Sequence, residues 1–200
     1  DIKPFSVSFN QGRLIALCGP HGEGKSMFLR TLGGAVLPKL VASSKFFVPA
    51  HLRVLHVSSA LFFSDATLYE NLVFGCTPGD PDSSRERVRT ICERLWIPKV
   101  IVDEIGRTDD TEESSSWIHH TSQTQRHLLA IARALISTPE VLAIHKPTEP
   151  LNEEVATNVL KLLREFVDRR GVEQDESRMH LRRPRTCILT TSTGHLHELT

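Results

Sequence analysis

The feature that most constrains this chain is the segment Gly19-Pro-His-Gly-Glu-Gly-Lys25-Ser26, which fits the pattern G-x-x-x-x-G-K-[ST]. It lies between Arg13-Leu-Ile-Ala-Leu-Cys18, an apolar run suited to a strand buried on both faces, and a helix that begins over Ser26–Leu32. Glycines let the backbone curl until successive N–H groups converge on phosphate oxygens. The helix that follows points its positive end at the same anion. On this reading Gly19, His21, Gly22, Glu23, Gly24, Lys25, Ser26 and Met27 form a nucleotide site, with Lys25 reaching the β- and γ-phosphates and Ser26 ligating Mg²⁺. The bland alternative, a glycine-rich turn with a chance lysine, leaves the flanking strand and helix unexplained. The loop selects a nucleotide site without selecting a family.

Around the loop, strands and helices alternate. Strands are predicted over Phe5–Asn10 (closed by a Gln11-Gly12 turn), Arg53–Val57, Glu140–Ile144 and Thr186–Thr191. Helices are predicted over Thr67–Phe74, Arg85–Leu95 with Asp82 or Ser83 as N-cap, Gln123–Ser137 stopped by Pro139, and Leu151–Arg169. Arg107–Ser116 reads as a polar surface loop. Gly171–Arg185, charged and without periodicity, reads as a disordered, mobile insertion. The fold class is α/β, with a mostly parallel sheet and helices on its faces.

Composition narrows the partners. The 24 basic residues balance the 24 acidic ones, which argues against bulk nucleic acid. The four cysteines (Cys18, Cys76, Cys92, Cys187) are widely spaced without a C-x-x-C pair, so neither a metal cluster nor a disulfide is expected, and Cys18 should pack as a small hydrophobe. No stretch approaches the roughly 18 apolar residues that span a bilayer. The best candidate, Leu128–Ile136, is short and carries Arg133. A membrane role would therefore come through a partner or through another part of a longer chain, and the start at Asp1, in mid-pattern, fits an excerpt.

The second half carries a family resemblance. Thr121-Ser-Gln-Thr-Gln125-Arg126, followed by Leu129-Ala-Ile-Ala-Arg-Ala-Leu135, resembles the signature segment and helix of ABC-transporter nucleotide-binding domains, L-S-G-G-Q and then L-A-R-A-L. Pro139-Glu-Val-Leu-Ala-Ile-His-Lys-Pro-Thr148 is similar to that family's Walker B strand, which ends D-E-P-T. Phe62-Phe-Ser-Asp-Ala-Thr-Leu-Tyr-Glu-Asn-Leu72 resembles the segment after its Q-loop, in exporter-type members above all. The resemblance implies one P-loop NTPase domain over 1–200, cut at both ends, with a helical signature subdomain at about 66–138. It also implies ATP and Mg²⁺ as cofactors and a second nucleotide-binding domain as head-to-tail partner. Membrane segments on the same full-length chain or on a partner would hold the protein at the cytosolic face of a membrane.

The departures from the pattern gather at the chemistry. The family's Mg²⁺ aspartate is matched by His145 and its water-polarising glutamate by Lys146, an alignment fixed by Pro147-Thr148. A general base must accept a proton, which a lysine ammonium does not. Ser59 matches the Q-loop glutamine and Ser192 the switch histidine, so no catalytic residue is assigned. Ser122 and Gln125 survive from the signature, where the family uses them in trans on the opposing subunit's ATP. Its two glycines are Gln123 and Thr124, whose side chains would crowd a phosphate. Lys146 has two readings, a cation near the γ-phosphate that partly replaces Mg²⁺, or the plainer one, a lysine turned to solvent. His145 more simply fills the old aspartate position than binds a metal.

Two functions compete. One is a weakly catalytic or non-catalytic half of an ABC ATPase pair serving a transporter. The other is a pseudo-ATPase used as a structural subunit of a larger assembly. An active P-loop kinase or GTPase fits poorly, since the Walker B carboxylate and any guanine-reading motif are missing.

Overall fold

The computed structural model describes residues 6–40, 44–107 and 116–191. Four strands, β1 (Leu14–Leu17), β2 (Val54–Val57), β3 (Val141–His145) and β4 (Thr186–Thr190), form one sheet in the order β1-β4-β3-β2, every pair parallel. The α/β class and the parallel sheet stand as the alternation of elements implied.

Side chains leave the sheet alternately, and both faces are covered. Val141, Ala143 and Ile188 meet Leu29 of α1 (Lys25–Leu32) on one face. Leu142, Ile144, Cys187 and Leu189 join α6 (Gln123–Ile136) and α7 (Glu153–Asp168) on the other. That double burial is why the strands read as nearly unbroken apolar runs.

Between β2 and β3 the described residues form helices only: α2 (Leu68–Leu72), α3 (Arg85–Arg94), α4 (Lys99–Val102), α5 (Ser116–His119) and α6, besides short 3-10 turns. Their apolar faces share a single core with one face of the sheet. Two arginines lock them. Arg133 of α6 donates to the carbonyls of Asn71 (2.7 Å) and Phe62 (2.8 Å) and lies over the Phe63 ring. Arg87 of α3 is buried and donates to the carbonyls of Leu135, Ile136, Val172 and Glu173. Local sequence sets the starts: Thr67 and Glu70 form a capping box on α2, as Ser122 and Gln125 do on α6.

Several expectations are corrected. Residues 6–10 form no strand, since β1 is the sheet's edge and pairs only with β4. For the same reason β1 is half-buried rather than buried on both faces. Cys18 is exposed, because the chain leaves the sheet at Leu17 and enters the loop. Ser84 caps α3, because Pro81–Ser83 is already a 3-10 turn capped by Asp80. The stretch 171–185, expected to be mobile, is folded. Val172 is fully buried, Arg87 holds two of its carbonyls, and Glu176–Leu181 forms a 3-10 helix. Those anchors are backbone groups and one arginine distant in sequence, which no local pattern reveals. Most of the Arg107–Ser116 loop lies outside the described residues, and Ser116 opens α5.

Candidate functional site

The candidate site lies at the carboxyl ends of β1, β4 and β3, the end of a parallel α/β sheet where ligands bind. Register brings its parts together: Leu17 is paired with Thr190, and Thr190 with His145. Two strand spacings, about 10 Å, therefore separate the start of the loop from the end of β3.

The loop from Gly19 to Gly24 turns on glycines. Gly19, Gly22 and Gly24 have φ of 146°, 90° and 86°, where L-residues are strained. A Cβ at Gly19 would also stand 3.0 Å from the Glu23 carboxylate, which leans over it. Gly24 precedes α1 without a side-chain cap, and the first turn of α1 carries no acid. The positive end of α1 thus faces the loop, where Glu23 is the nearby acid. Lys25 curls back and donates to the carbonyls of Gly19 (2.7 Å) and Pro20 (2.6 Å). His21, Gly22, Glu23 and Met27 are exposed, while Gly19, Gly24, Lys25 and Ser26 are half-buried.

Across from the loop, His145 and Lys146 close β3. Lys146 adopts a left-handed backbone (φ 48°), a conformation that costs an L-residue about 1–2 kcal/mol. Thr190 Oγ1 fixes both residues: it accepts the Lys146 N–H (2.9 Å) and pairs with His145 Nδ1 (2.9 Å). When the Thr190 hydroxyl donates to Nδ1, the ring proton sits on Nε2 and His145 presents a donor. The Lys146 ammonium pairs with Glu149 instead of turning freely to solvent. His145 is held below the usual imidazole range by burial first and then by the Lys146 and Lys25 charges, against an opposing pull from Glu149. His56 on β2 is lowered by burial, then by His145 and Arg30.

Mg²⁺ prefers oxygen ligands and is usually held through one or two carboxylates. The strand end offers an imidazole engaged at Nδ1 and an ammonium, and no three His, Cys, Asp or Glu side chains converge among the described residues. Ser26 alone does not make a magnesium site, so these residues do not fit the ion expected there.

Ser122 and Gln125 bond to each other: Gln125 N–H donates to Ser122 Oγ (3.2 Å), and Ser122 N–H to Gln125 Oε1 (2.7 Å). Both therefore have a structural role in starting α6. Gln123 and Thr124 are exposed, and Thr124 Oγ1 donates to Pro150 O (3.4 Å). Ser59 is exposed after β2; its neighbours Ser58 and Ala60 line a groove of ≈ 370 Å³ together with Phe62, Phe74 and Arg133. Ser192 lies outside the described residues. Sequence reasoning missed Thr190, His56 and Glu149, each of which matters only through a neighbour on another strand or turn. It also missed His127, whose Nε2 lies 2.8 Å from Pro147 O and ties α6 to the turn after β3.

The sequence profile of the ABC transporter family matches residues 2–149. The chain belongs to that family. The Fe(3+) ions import ATP-binding protein FbpC of Pseudomonas fluorescens is 25% identical over 182 residues, covering 86% of this chain and 48% of the relative. The sulfate/thiosulfate import ATP-binding protein CysA of Nitrosomonas europaea is 27% identical over 177 residues, covering 84% and 46%. The chain spans about half the length of these curated relatives. Among solved structures, an ATP-binding cassette captured as a dimer after hydrolysis with ADP and Pi superposes with a TM-score of 0.64, at 18% identity, over 95% of this chain and 79% of the other. At that identity the likeness speaks to the fold alone. The relatives named here are importers by title, so the exporter likeness of Thr67–Asn71 draws nothing from them. The segment's own structure accounts for it, since Thr67 caps α2 and the Asn71 side chain binds the carbonyls of Ser64, Ala66 and Thr67.

Proposed function

We propose that this ABC-family domain binds ATP through its phosphate loop, hydrolyses it weakly or not at all, and pairs head to tail with a second nucleotide-binding domain to serve a membrane transporter. The observation that carries the reading is the pairing of a glycine-turned, lysine-bearing loop with a β3 end that holds an imidazole and an ammonium where the family pattern has two carboxylates. The loop needs only backbone shape and one cation to hold phosphate. Hydrolysis needs a group that polarises water, and the Lys146 ammonium, engaged by Glu149, does not do so.

No helix of the described residues is long and apolar enough to cross a membrane, so membrane contact on this reading runs through transmembrane segments elsewhere on a longer chain or on a partner, at the cytosolic face. The names of the relatives, import ATP-binding proteins, support a transport setting. Ser122 and Gln125 would then act on the opposing domain's nucleotide, with Gln123 and Thr124 hindering close approach. The same losses favour a second reading, a pseudo-ATPase scaffold without transport activity of its own.

Binding of a fluorescent ATP analogue, with and without Lys25→Ala, together with phosphate release, tests the first reading. Expected are Lys25-dependent binding and little release. Transport by an assembly carrying Lys25→Ala separates the two readings: impaired transport supports the first, and full transport by a domain that has lost nucleotide leaves only the scaffold.

A further inference from the structure

Resting on the ATP-binding reading above, we propose that this domain takes the nucleotide triphosphate without its metal, the cations around the loop standing where Mg²⁺ would otherwise be needed. The first support is the donor set. His145 offers nitrogen rather than oxygen, with Nδ1 already paired to Thr190, and Lys146 beside it is a cation. Two carboxylates are near. Glu149 is held by Lys146, and Glu23 leans over Gly19 from within the loop itself. Neither stands at the end of β3, and no metal-binding cluster forms among the described residues.

The second support is charge. A triphosphate stripped of Mg²⁺ carries more negative charge, and it attracts cations more strongly in a partly desolvated site. Lys25 sits at the start of α1, whose positive end faces the loop, and Lys146 follows the end of β3. The depressed imidazoles of His56 and His145, each lowered first by burial and then by neighbouring positive groups, fit the same cation-rich surroundings. A divalent cation brought into this neighbourhood would meet the Lys25 and Lys146 ammonium groups as well as the Glu23 carboxylate.

The third support is that Lys146 is held in place. Its backbone is fixed in the left-handed region by the Thr190 hydroxyl, so the residue departs at a defined point and angle from the strand end. Its partner Glu149 is exposed, with 59% of its side chain accessible. An ion pair of that kind is weak in water, and phosphate oxygens can displace it.

The test is a titration of the chain with a fluorescent ATP analogue in EDTA and in excess Mg²⁺. The dissociation constants are expected to agree within about threefold. In Lys146→Gln, checked for folding by circular dichroism because the side chain is only 29% accessible, affinity should fall about threefold or more in EDTA and less in Mg²⁺. In His145→Asp with Lys146→Glu, checked for folding by circular dichroism, affinity in EDTA should fall about tenfold or more, with Mg²⁺ restoring it. Wild-type binding that appears only with Mg²⁺, or an equal loss in both media for Lys146→Gln, overturns the metal-free inference and leaves ATP binding standing. A folded chain that binds in neither medium overturns both.

Discussion

The two ends of the sheet handle charge in opposite ways. At the amino ends of β2, β3 and β4, Glu140 sits between Arg53 and Arg185. It accepts the Arg53 N–H (3.0 Å), Arg53 Nε (3.1 Å) and an Arg185 guanidinium N–H (2.7 Å). Burial alone would raise the Glu140 carboxyl, but the bonds from Arg53 and then Arg185 hold it at about 2. At the carboxyl ends the same strands lead to Lys25, His145 and Lys146, with Lys146 paired to an exposed glutamate. One end is an ion-pair network around a buried carboxylate, in which the buried Arg185 Nε lacks a hydrogen-bond partner; the other keeps half-buried cations that a ligand can reach. The difference teaches where to look for function in this member of the family. Structural charge gathers around a buried carboxylate, while site charge is half-exposed beside the phosphate loop.

The strongest way to break this contrast is Glu140→Ala. It leaves the buried Arg185 guanidinium without its carboxylate, and loss of one partner of a buried pair costs about 3–5 kcal/mol. Urea unfolding should show an unfolding free energy lowered by that amount, read from the shift in midpoint at unchanged slope, and a change under about 1 kcal/mol would mean that the amino end is no anchor. Lys25→Ala should behave in the reverse manner. Its ammonium bonds only to loop carbonyls, so the unfolding midpoint should hold while affinity for the ATP analogue drops about tenfold to a hundredfold, the range for losing charged hydrogen bonds. A smaller shift in binding than in stability would put Lys25 with the structural charges.

Restoring the two carboxylates sharpens the comparison further. The double variant His145→Asp with Lys146→Glu is expected to stay far below full ATP turnover when paired with a second copy of itself, because Gln123 and Thr124 of the opposing copy would still project over each nucleotide. Robust phosphate release from that variant would show that the end of β3 alone limits catalysis.

How much of this was legible in the sequence follows the same division. The loop was, because its chemistry is carried by backbone shape, and a backbone that must turn at Gly19, Gly22 and Gly24 leaves its glycines in the sequence. The elements β3, β4, α6 and α7 were, because double burial and helical periodicity both leave local patterns. The position of His145 and Lys146 at the end of β3 was legible, but the Thr190 hydroxyl that fixes them was not, since its role exists only through strand register. The order of the 171–185 stretch was hidden for a like reason. Arg87 lies far back in the chain and binds carbonyls, which every residue has.

The smallest expected effect concerns acidity, and it draws on the carboxyl end and its neighbour α6. His127, His56 and His145 are all held below the ordinary imidazole value, by burial first in each. For His127 the bond to Pro147 O works in the opposite direction without outweighing burial. A histidine with a lowered folded pKa binds fewer protons in the native state than in the unfolded chain. Its contribution to stability is complete above the unfolded value of about 6.5 and is lost as pH falls through that value and below. Between about pH 7.5 and 5.5 the domain should lose stability, most of it through His127, since solvent screens the half-buried His56 and His145. The Glu140 network does not contribute in this window, because its stabilisation is lost only as pH falls from the unfolded carboxyl value near 4.3 toward about 2. Urea midpoints at the two pH values measure the effect, and His127→Gln, which can still donate to Pro147 O, should flatten most of it. Stability that rises on acidification would mean that these rings gain protons on folding, and the carboxyl end would then have negative charge enough to hold a metal after all.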